Sequence, residues 1–442
     1  MCSYKTERSA NVYRKSIQDS IDYIENNLKS EFTVQELSEN AGVSLFHYYR
    51  LFRSAVGIPV MQYIVRRKLL HAIYEISEGN KMIDAALQYG FETYAGFYRA
   101  FVREFGYAPA QFLKTYKVRK PYRINIFEEE HIMVTHKKIK EVLQHWGLEN
   151  EKVADILYEG TGNRNENAYY VGTDFVVKYS PNLGRLKNNM GIAKELERVG
   201  LFAAIPVKTL GDEEYVTDGE LYYCLSKRLE GKQLQPESMY LDDYITKARY
   251  VGEVIGHLSK ALSNINVLVD DTNTYDTVVN WAIPQIKRKL NIPEAFLRNY
   301  VEVFGDLYNK LPRQVIHRDP NPGNIIFADD KWGFIDFELS EKNIRIYDPC
   351  YAATAILSES FTEENESKLK KWIDIYKNII YGYDDVVKLT EDEKKAIPYV
   401  VLSNQLVAVS WFSEKEKYRE IYEVNKKMTE WIVERFESLA IQ

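Results

Sequence analysis

The sequence predicts two bodies of different class on one chain: an all-α amino-terminal domain and a larger α+β body. Three observations predict this. At 442 residues the chain is longer than one hydrophobic core organises. Apolar residues recur at three- and four-residue steps through about residue 115, as in Ile17, Ile21, Ile24 and Leu28, and no strand signal precedes about Tyr122. Charge divides at the same place. Residues 1–120 carry 17 Lys/Arg against 12 Asp/Glu, and the remainder carries 41 against 52, for a net −6. A basic head on an acidic body is the asymmetry expected where one end meets nucleic acid, although mixed charged faces are also ordinary solvated surface.

Composition excludes several classes. An apolar share of 45%, with 22 glycines and 13 prolines, is that of a globular chain rather than a disordered one. Cys2, Cys224 and Cys350 lie far apart and fit no metal spacing, which suits a reducing compartment. The start, Met-Cys-Ser-Tyr-Lys-Thr-Glu-Arg, lacks the apolar run of a signal peptide. The longest apolar stretch, Tyr399–Phe412, is interrupted by Ser403, Asn404 and Gln405, so no membrane span and a cytoplasmic location are expected.

In the head, Phe32 to Ser44 has the layout of a helix, a tight turn at Gly42 and a second, N-capped helix. That second helix turns Tyr48, Leu51 and Phe52 inward and leaves Phe46, Tyr49 and Arg50 on its outer face. A helix-turn-helix presents such a face to the major groove of double-stranded DNA. The pattern returns about fifty residues later, from Met82 through Gly90-Phe91 to Phe97, Arg99, Phe101, Phe105-Gly106 and Pro109.

On these residues Ser16–Tyr116 resembles the AraC family of bacterial transcription regulators, whose DNA-binding domain joins two such motifs by a long helix. The resemblance implies that Phe46, Tyr49 and Arg50 meet base edges from the first motif, and Tyr98 and Arg99 from the second. Arginine reads guanine, and aromatic rings suit thymine methyls. Three positions depart from the family: Ala95 replaces a serine, Val102 a phosphate-seeking lysine and Lys68 an arginine. Residues 1–116 are therefore expected to form this domain, with the charged segment 117–130 as linker.

The body, residues 131–442, opens with a helix over Thr135–Trp146. Strand signals follow at Val153–Tyr158, Ala168–Val171 and Phe175–Tyr179, then a helix near Leu186–Val199 and strands at Glu214–Val216 and Leu221–Leu225. This is a small α+β lobe to about residue 230. From Pro236 on, the large lobe (about 231–442) reads as helical except around one hairpin.

That hairpin carries the chemistry. An apolar strand from Val315 leads into His317-Arg318-Asp319-Pro320-Asn321-Pro322-Gly323-Asn324, and a second strand ends in Ile335-Asp336-Phe337-Glu338. An aspartate, an asparagine five residues on and an aspartate one hairpin later are the parts phosphoryl transfer needs. The first accepts the hydroxyl proton, and the others offer hard oxygens to Mg²⁺.

From about Ile132 on, the chain resembles the aminoglycoside phosphotransferase superfamily, small-molecule relatives of protein kinases. The resemblance implies a bilobal protein-kinase-like phosphotransferase fold that uses ATP and Mg²⁺ on a small-molecule hydroxyl substrate. It assigns catalysis to Asp319, metal and nucleotide binding to Asn324 and Asp336, and bracing of the catalytic loop to Asp348. Lys178, ending Phe175-Val176-Val177-Lys178, matches the lysine on the α- and β-phosphates, with Glu195 as its carboxylate partner and Glu197 as the alternative. Tyr222–Gly231 matches the adenine strand and hinge and includes the cofactor-binding positions Ser226 and Arg228, while 159–167 would cover the phosphates. Arg318 replaces the glycine usual before the catalytic aspartate, as in a protein kinase. Only eleven residues separate Asp336 from Asp348, too few for an activation segment.

Overall fold

Two helix-turn-helix motifs are built in the same way in the amino-terminal part. Helices α1 (Cys2–Asn26) and α2 (Val34–Asn40) precede α3 (Leu45–Val56), whose N-cap Ser44 accepts from the His47 N–H. Helix α4 (Val60–Ser77) links to α5 (Met82–Gln88), α6 (Tyr94–Phe105) and α7 (Pro109–Thr115). Thr93 caps α6 by accepting from Gly96 N–H. Both α3 and α6 end on a left-handed glycine, Gly57 and Gly106, the cheapest residue for that stop. Tyr48 and Phe52 of α3, and Phe97 and Phe101 of α6, are fully buried in one core.

The computed structural model describes residues 2–116, 118–127, 132–157, 164–328 and 331–441. They fall into two units: residues 1–181 with 208–225, and residues 182–207 with 226–442.

In the first unit residues 118–127, from the segment expected as a linker, pack against the helices as a strap. Ile124 and Ile126, two residues apart, are buried in the helical core. Gln18 holds both of their backbones, donating to Ile124 O at 2.9 Å and accepting from Ile126 N at 2.8 Å. Arg67 of α4 donates to Tyr122 O at 2.7 Å and forms a bidentate pair with Glu25 of α1 at 2.6 and 2.9 Å, with Tyr63 Oη on the same carboxylate at 2.7 Å. Burial alone would raise the Glu25 pKa, but the bonds from His71 and Arg67 outweigh it and hold the carboxyl down at about 2.

After the strap come α8 (His136–Leu143) and strands β1 (Val153–Leu157), β2 (Arg164–Val171) and β3 (Phe175–Ser180), antiparallel in that order, with Leu221–Lys227 beside β3. The helical head is fastened to this sheet. Met133 N–H donates to Val56 O at 2.9 Å. Tyr116 Oη donates to Asp155 of β1 at 3.1 Å, and His136 meets the other Asp155 oxygen at 3.0 Å.

The second unit begins with helix α9 (Leu183–Arg198) and holds two small sheets on a helical core. Ile325–Ala328 pairs antiparallel with Lys331–Phe334, and Phe202–Ala203 runs parallel to the latter. Arg313–Ile316 pairs antiparallel with Glu341–Ile344. The helices Tyr244–Leu262 and Glu366–Val387 cross at Gly252 and Gly382. A Cβ at either glycine would strike the carbonyl of Ile379 or Arg249, so only glycine allows the close approach. Among the described residues one helix, Glu391–Ser413, is long and apolar enough to cross a membrane, and 67% of its apolar window is buried inside the protein. Cys224 and Cys350 are buried and form no disulfide.

Candidate active site and nucleic-acid interface

The candidate nucleic-acid face follows from which helix positions the core consumes. With Tyr48 and Phe52 buried, α3 turns Phe46 (74% exposed), Tyr49 and Arg50 to solvent. With Phe97 and Phe101 buried, α6 does the same for Tyr98 and Arg99. Arg53 and Arg103 share those exposed faces. Sequence reasoning passed over both, although their spacing from Arg50 and Arg99, three and four residues on, gave the signal. Ala95 is exposed and Val102 half-buried, and neither apolar side chain carries a donor for a phosphate.

The 317–324 loop is clamped by Asp348, in the first turn of helix Tyr347–Ser360. Its two oxygens accept from His317 N–H at 2.8 Å and Arg318 N–H at 2.9 Å. Burial pushes the Asp348 carboxyl up to about 7 against the pull of those two donors. The clamp fixes a strained backbone at Arg318, which sits at φ 76°, and Asp336 on the neighbouring motif is likewise left-handed at φ 70°. Such left-handed non-glycine residues cost about 1–3 kcal/mol each and persist only where their surroundings determine them. The buried His317 ring bonds Ile335 O at 3.0 Å, and Asn324 O accepts from Ile335 N–H at 3.0 Å, which joins the two motifs.

Asp319 lies at the centre. Asn321 Nδ2 donates to its Oδ1 at 2.9 Å, and Asn324 Nδ2 donates to its backbone O at 2.9 Å and its Oδ2 at 3.3 Å. Burial pushes Asp319 up to about 6; the bonds from Asn321 and Tyr351 pull back, and the charge of Asp336 adds to the rise. A carboxylate near 6 is poised to take a proton near neutral pH. Tyr351 was missed from the sequence, although it lies one turn beyond Asp348 on the same helix.

The donor set fits Mg²⁺. Among the described residues no group of three or more His, Cys, Asp or Glu forms a metal cage. Magnesium at phosphates is usually held through one or two protein oxygens, which needs no cage. The Asn324 amide nitrogen is turned to Asp319, so its oxygen points elsewhere, and Asp336 adds a carboxylate one hairpin on.

Arg318 is committed. Its Nε meets Glu341 at 3.0 Å, and its guanidinium lies 4.4 Å over the Tyr347 ring. The stretch between Asp336 and Asp348 is filled by one 3-10 turn (Phe337–Leu339) and the strand Glu341–Ile344. Lys178 is buried on β3 opposite Ala168 of β2. Glu195 on α9 accepts from Arg198 at 3.0 Å, and Glu197 is exposed. Ser226 is half-buried and Arg228 exposed at the end of the strand Leu221–Lys227. Of the loop expected over the phosphates, residues 159–163 lie outside the described residues.

Comparison with known proteins agrees with this division. A family model described as a helix-turn-helix domain matches residues 37–115. The chain is 32% identical over 95 residues to the HTH-type transcriptional activator AarP of Providencia stuartii, covering 21% of this chain and 70% of AarP. It is 32% identical over 101 residues to the multiple antibiotic resistance protein MarA of Escherichia coli, covering 23% of this chain and 80% of MarA. The chain belongs to the AraC-type helix-turn-helix family. In this AraC-type protein a phosphotransferase enzyme family model also matches residues 159–377. A microcompartment-associated aminopropanol kinase has a similar fold, with a TM-score of 0.50 at 12% identity, covering 68% of this chain and 97% of the kinase. The fold is therefore a helix-turn-helix head followed by a kinase-like α/β body.

Proposed function

We propose that this chain is a DNA-binding transcription regulator whose body transfers a phosphoryl group from ATP to the hydroxyl of a small molecule. The observation that carries the reading is the Asp319 cluster, in which Asn321, Asn324 and Tyr351 fix a carboxylate pushed up to about 6. Asp319 holds the substrate hydroxyl and takes its proton late, so catalysis is mainly positioning and charge stabilisation. Asn324 and Asp336 hold magnesium, which when bound neutralises the phosphates. Lys178 and Glu195 keep the nucleotide roles that the resemblance implies, and Ser226 and Arg228 belong to the hinge where adenine rests.

The committed Arg318 and the short path to Asp348 support a small-molecule acceptor over a protein. Acidic residues of the body are partly spent on their own partners: Glu341 on Arg318, Asp385 on Arg249 and Asp374 on Tyr244. Glu359, two turns beyond Tyr351, is pushed up to about 7 by burial and by the charge of Asp319 while still reaching solvent.

A second reading makes the body a ligand sensor that controls DNA binding without turnover. One observation favours control in either case: Tyr116 and His136 hold Asp155 on β1, two residues before that strand ends at Leu157 ahead of the phosphate loop. Phosphoryl transfer from ATP to a panel of amino alcohols, sugars and aminoglycosides, run beside a DNA pull-down, tests the reading. DNA capture with transfer to one acceptor supports the enzyme. DNA capture with nucleotide binding and no transfer supports the sensor.

A further inference from the structure

We infer that Asn189 is a positioning residue that holds Asp336 in its left-handed conformation from outside the motif. The inference rests on reading this body as a magnesium-dependent phosphotransferase and deepens it by one residue. Asp336 stands at the N-cap of the single 3-10 turn Phe337–Leu339. An aspartate at an N-cap ordinarily turns its own carboxylate onto the N–H groups of the first turn. Asp336 makes no such cap bond and sits at φ 70°, ψ 62°. The first donor of that turn, Phe337 N–H, goes instead to Asn189 Oδ1 at 3.0 Å. Asn189 lies on α9, far earlier in the chain. The cap that Asp336 does not supply is supplied by another helix.

The other side of Asp336 is pinned from the catalytic loop. Ile335 N–H donates to Asn324 O, and Ile335 O accepts from the His317 ring, both at 3.0 Å. The Phe337 ring packs on the same imidazole, with centroids 4.6 Å apart. The backbone is therefore held before Asp336 by the loop that carries Asp319, and after it by α9. Removing the α9 bond leaves a buried N–H without an acceptor beside a strained residue, and the turn relaxes out of the left-handed region. The carboxylate then leaves the place it shares with Asn324. Asn189 thus acts on the metal only through Asp336.

The test uses the full-length chain with Asn189→Leu, which keeps the volume and loses the acceptor, Asn189→Ala as a second loss variant, and Asn189→Gln as the rescue. Two quantities are read: ATP binding with saturating Mg²⁺ and with EDTA, and hydrogen exchange over residues 335–339. Both loss variants should weaken Mg-ATP binding by roughly tenfold, the effect of one unsatisfied buried N–H. Metal-free ATP binding should stay within about twofold, and the Phe337 amide should exchange roughly tenfold faster. Asn189→Gln should recover part of both. Wild-type Mg-ATP affinity and Phe337 protection in both loss variants would overturn the inference, as would equal loss of metal-free binding. A wild-type protein whose ATP affinity ignores Mg²⁺ would sink the phosphotransferase reading instead. Phe337 exchange then decides the cap, faster in the loss variants supporting it and unchanged exchange rejecting it.

Discussion

Asp319→Asn should make the body more stable as pH rises while removing its chemistry. Burial takes the Asp319 carboxyl from 3.8 to about 6. At about 1.36 kcal/mol per pKa unit, the ionised carboxylate costs the native state at most about 3 kcal/mol. The sign follows from the raised folded-state value. Below about pH 4 both states are protonated and there is no cost; between 4 and 6 the unfolded chain loses its proton first and stability falls; above 6 the cost is complete. The neutral asparagine carries none of it. Its amide also faces the Asn321 and Asn324 nitrogens, which adds an offset, but that offset does not vary with pH. The stability gap, variant minus wild type, should therefore widen by about 1.4 kcal/mol between pH 5 and pH 8. Guanidinium unfolding followed by tryptophan fluorescence reads it cleanly, because all six tryptophans lie at or beyond residue 146. In the same protein turnover should fall by roughly a hundredfold or more with Mg-ATP binding nearly intact, and wild-type turnover should rise through about pH 6. A gap that is flat with pH, or that narrows toward pH 8, would refute the assignment of a buried, ionised base.

Three further outcomes follow from the head and its attachment. Arg50→Ala should cost about 1–3 kcal/mol of DNA affinity and relax preference at one base position, read by binding to a randomised site library. Glu25→Gln leaves Arg67 buried without its counter-charge and should destabilise the head by about 3–5 kcal/mol, seen as faster proteolysis at 118–127. Because the Glu25 carboxyl is held down at about 2, its contribution is complete above its usual 4.5 and is lost as pH falls through 2. Tyr116→Phe removes the hydroxyl on Asp155 and should shrink the shift in DNA affinity that Mg-ATP plus acceptor produces, a shift about 5- to 150-fold in linked systems. DNA titrations with and without ligand measure it, and an undiminished shift would show that this contact does not carry the coupling.

Chain-local features determined much of this protein from the sequence alone. The two helix-turn-helix units were legible because N-caps, glycine stops and helical periodicity are properties of short segments, and Tyr48, Phe52, Phe97 and Phe101 face the core as their spacing requires. The Asp319, Asn324 and Asp336 spacing was legible for the same reason. The tertiary structure alone decided what depends on partners far apart in the chain. Ile124 and Ile126 become core only because α1 offers Gln18 across about a hundred residues. Asp348, already expected as a brace, reaches its particular donors, the His317 and Arg318 N–H groups, because Arg313–Ile316 pairs with Glu341–Ile344 and so brings the two segments together. Asn189, an unremarkable polar residue on a helix, gains its role only where α9 meets the Asp336 turn. A side chain's identity specifies what it can donate or accept, whereas the group that answers it is set by packing.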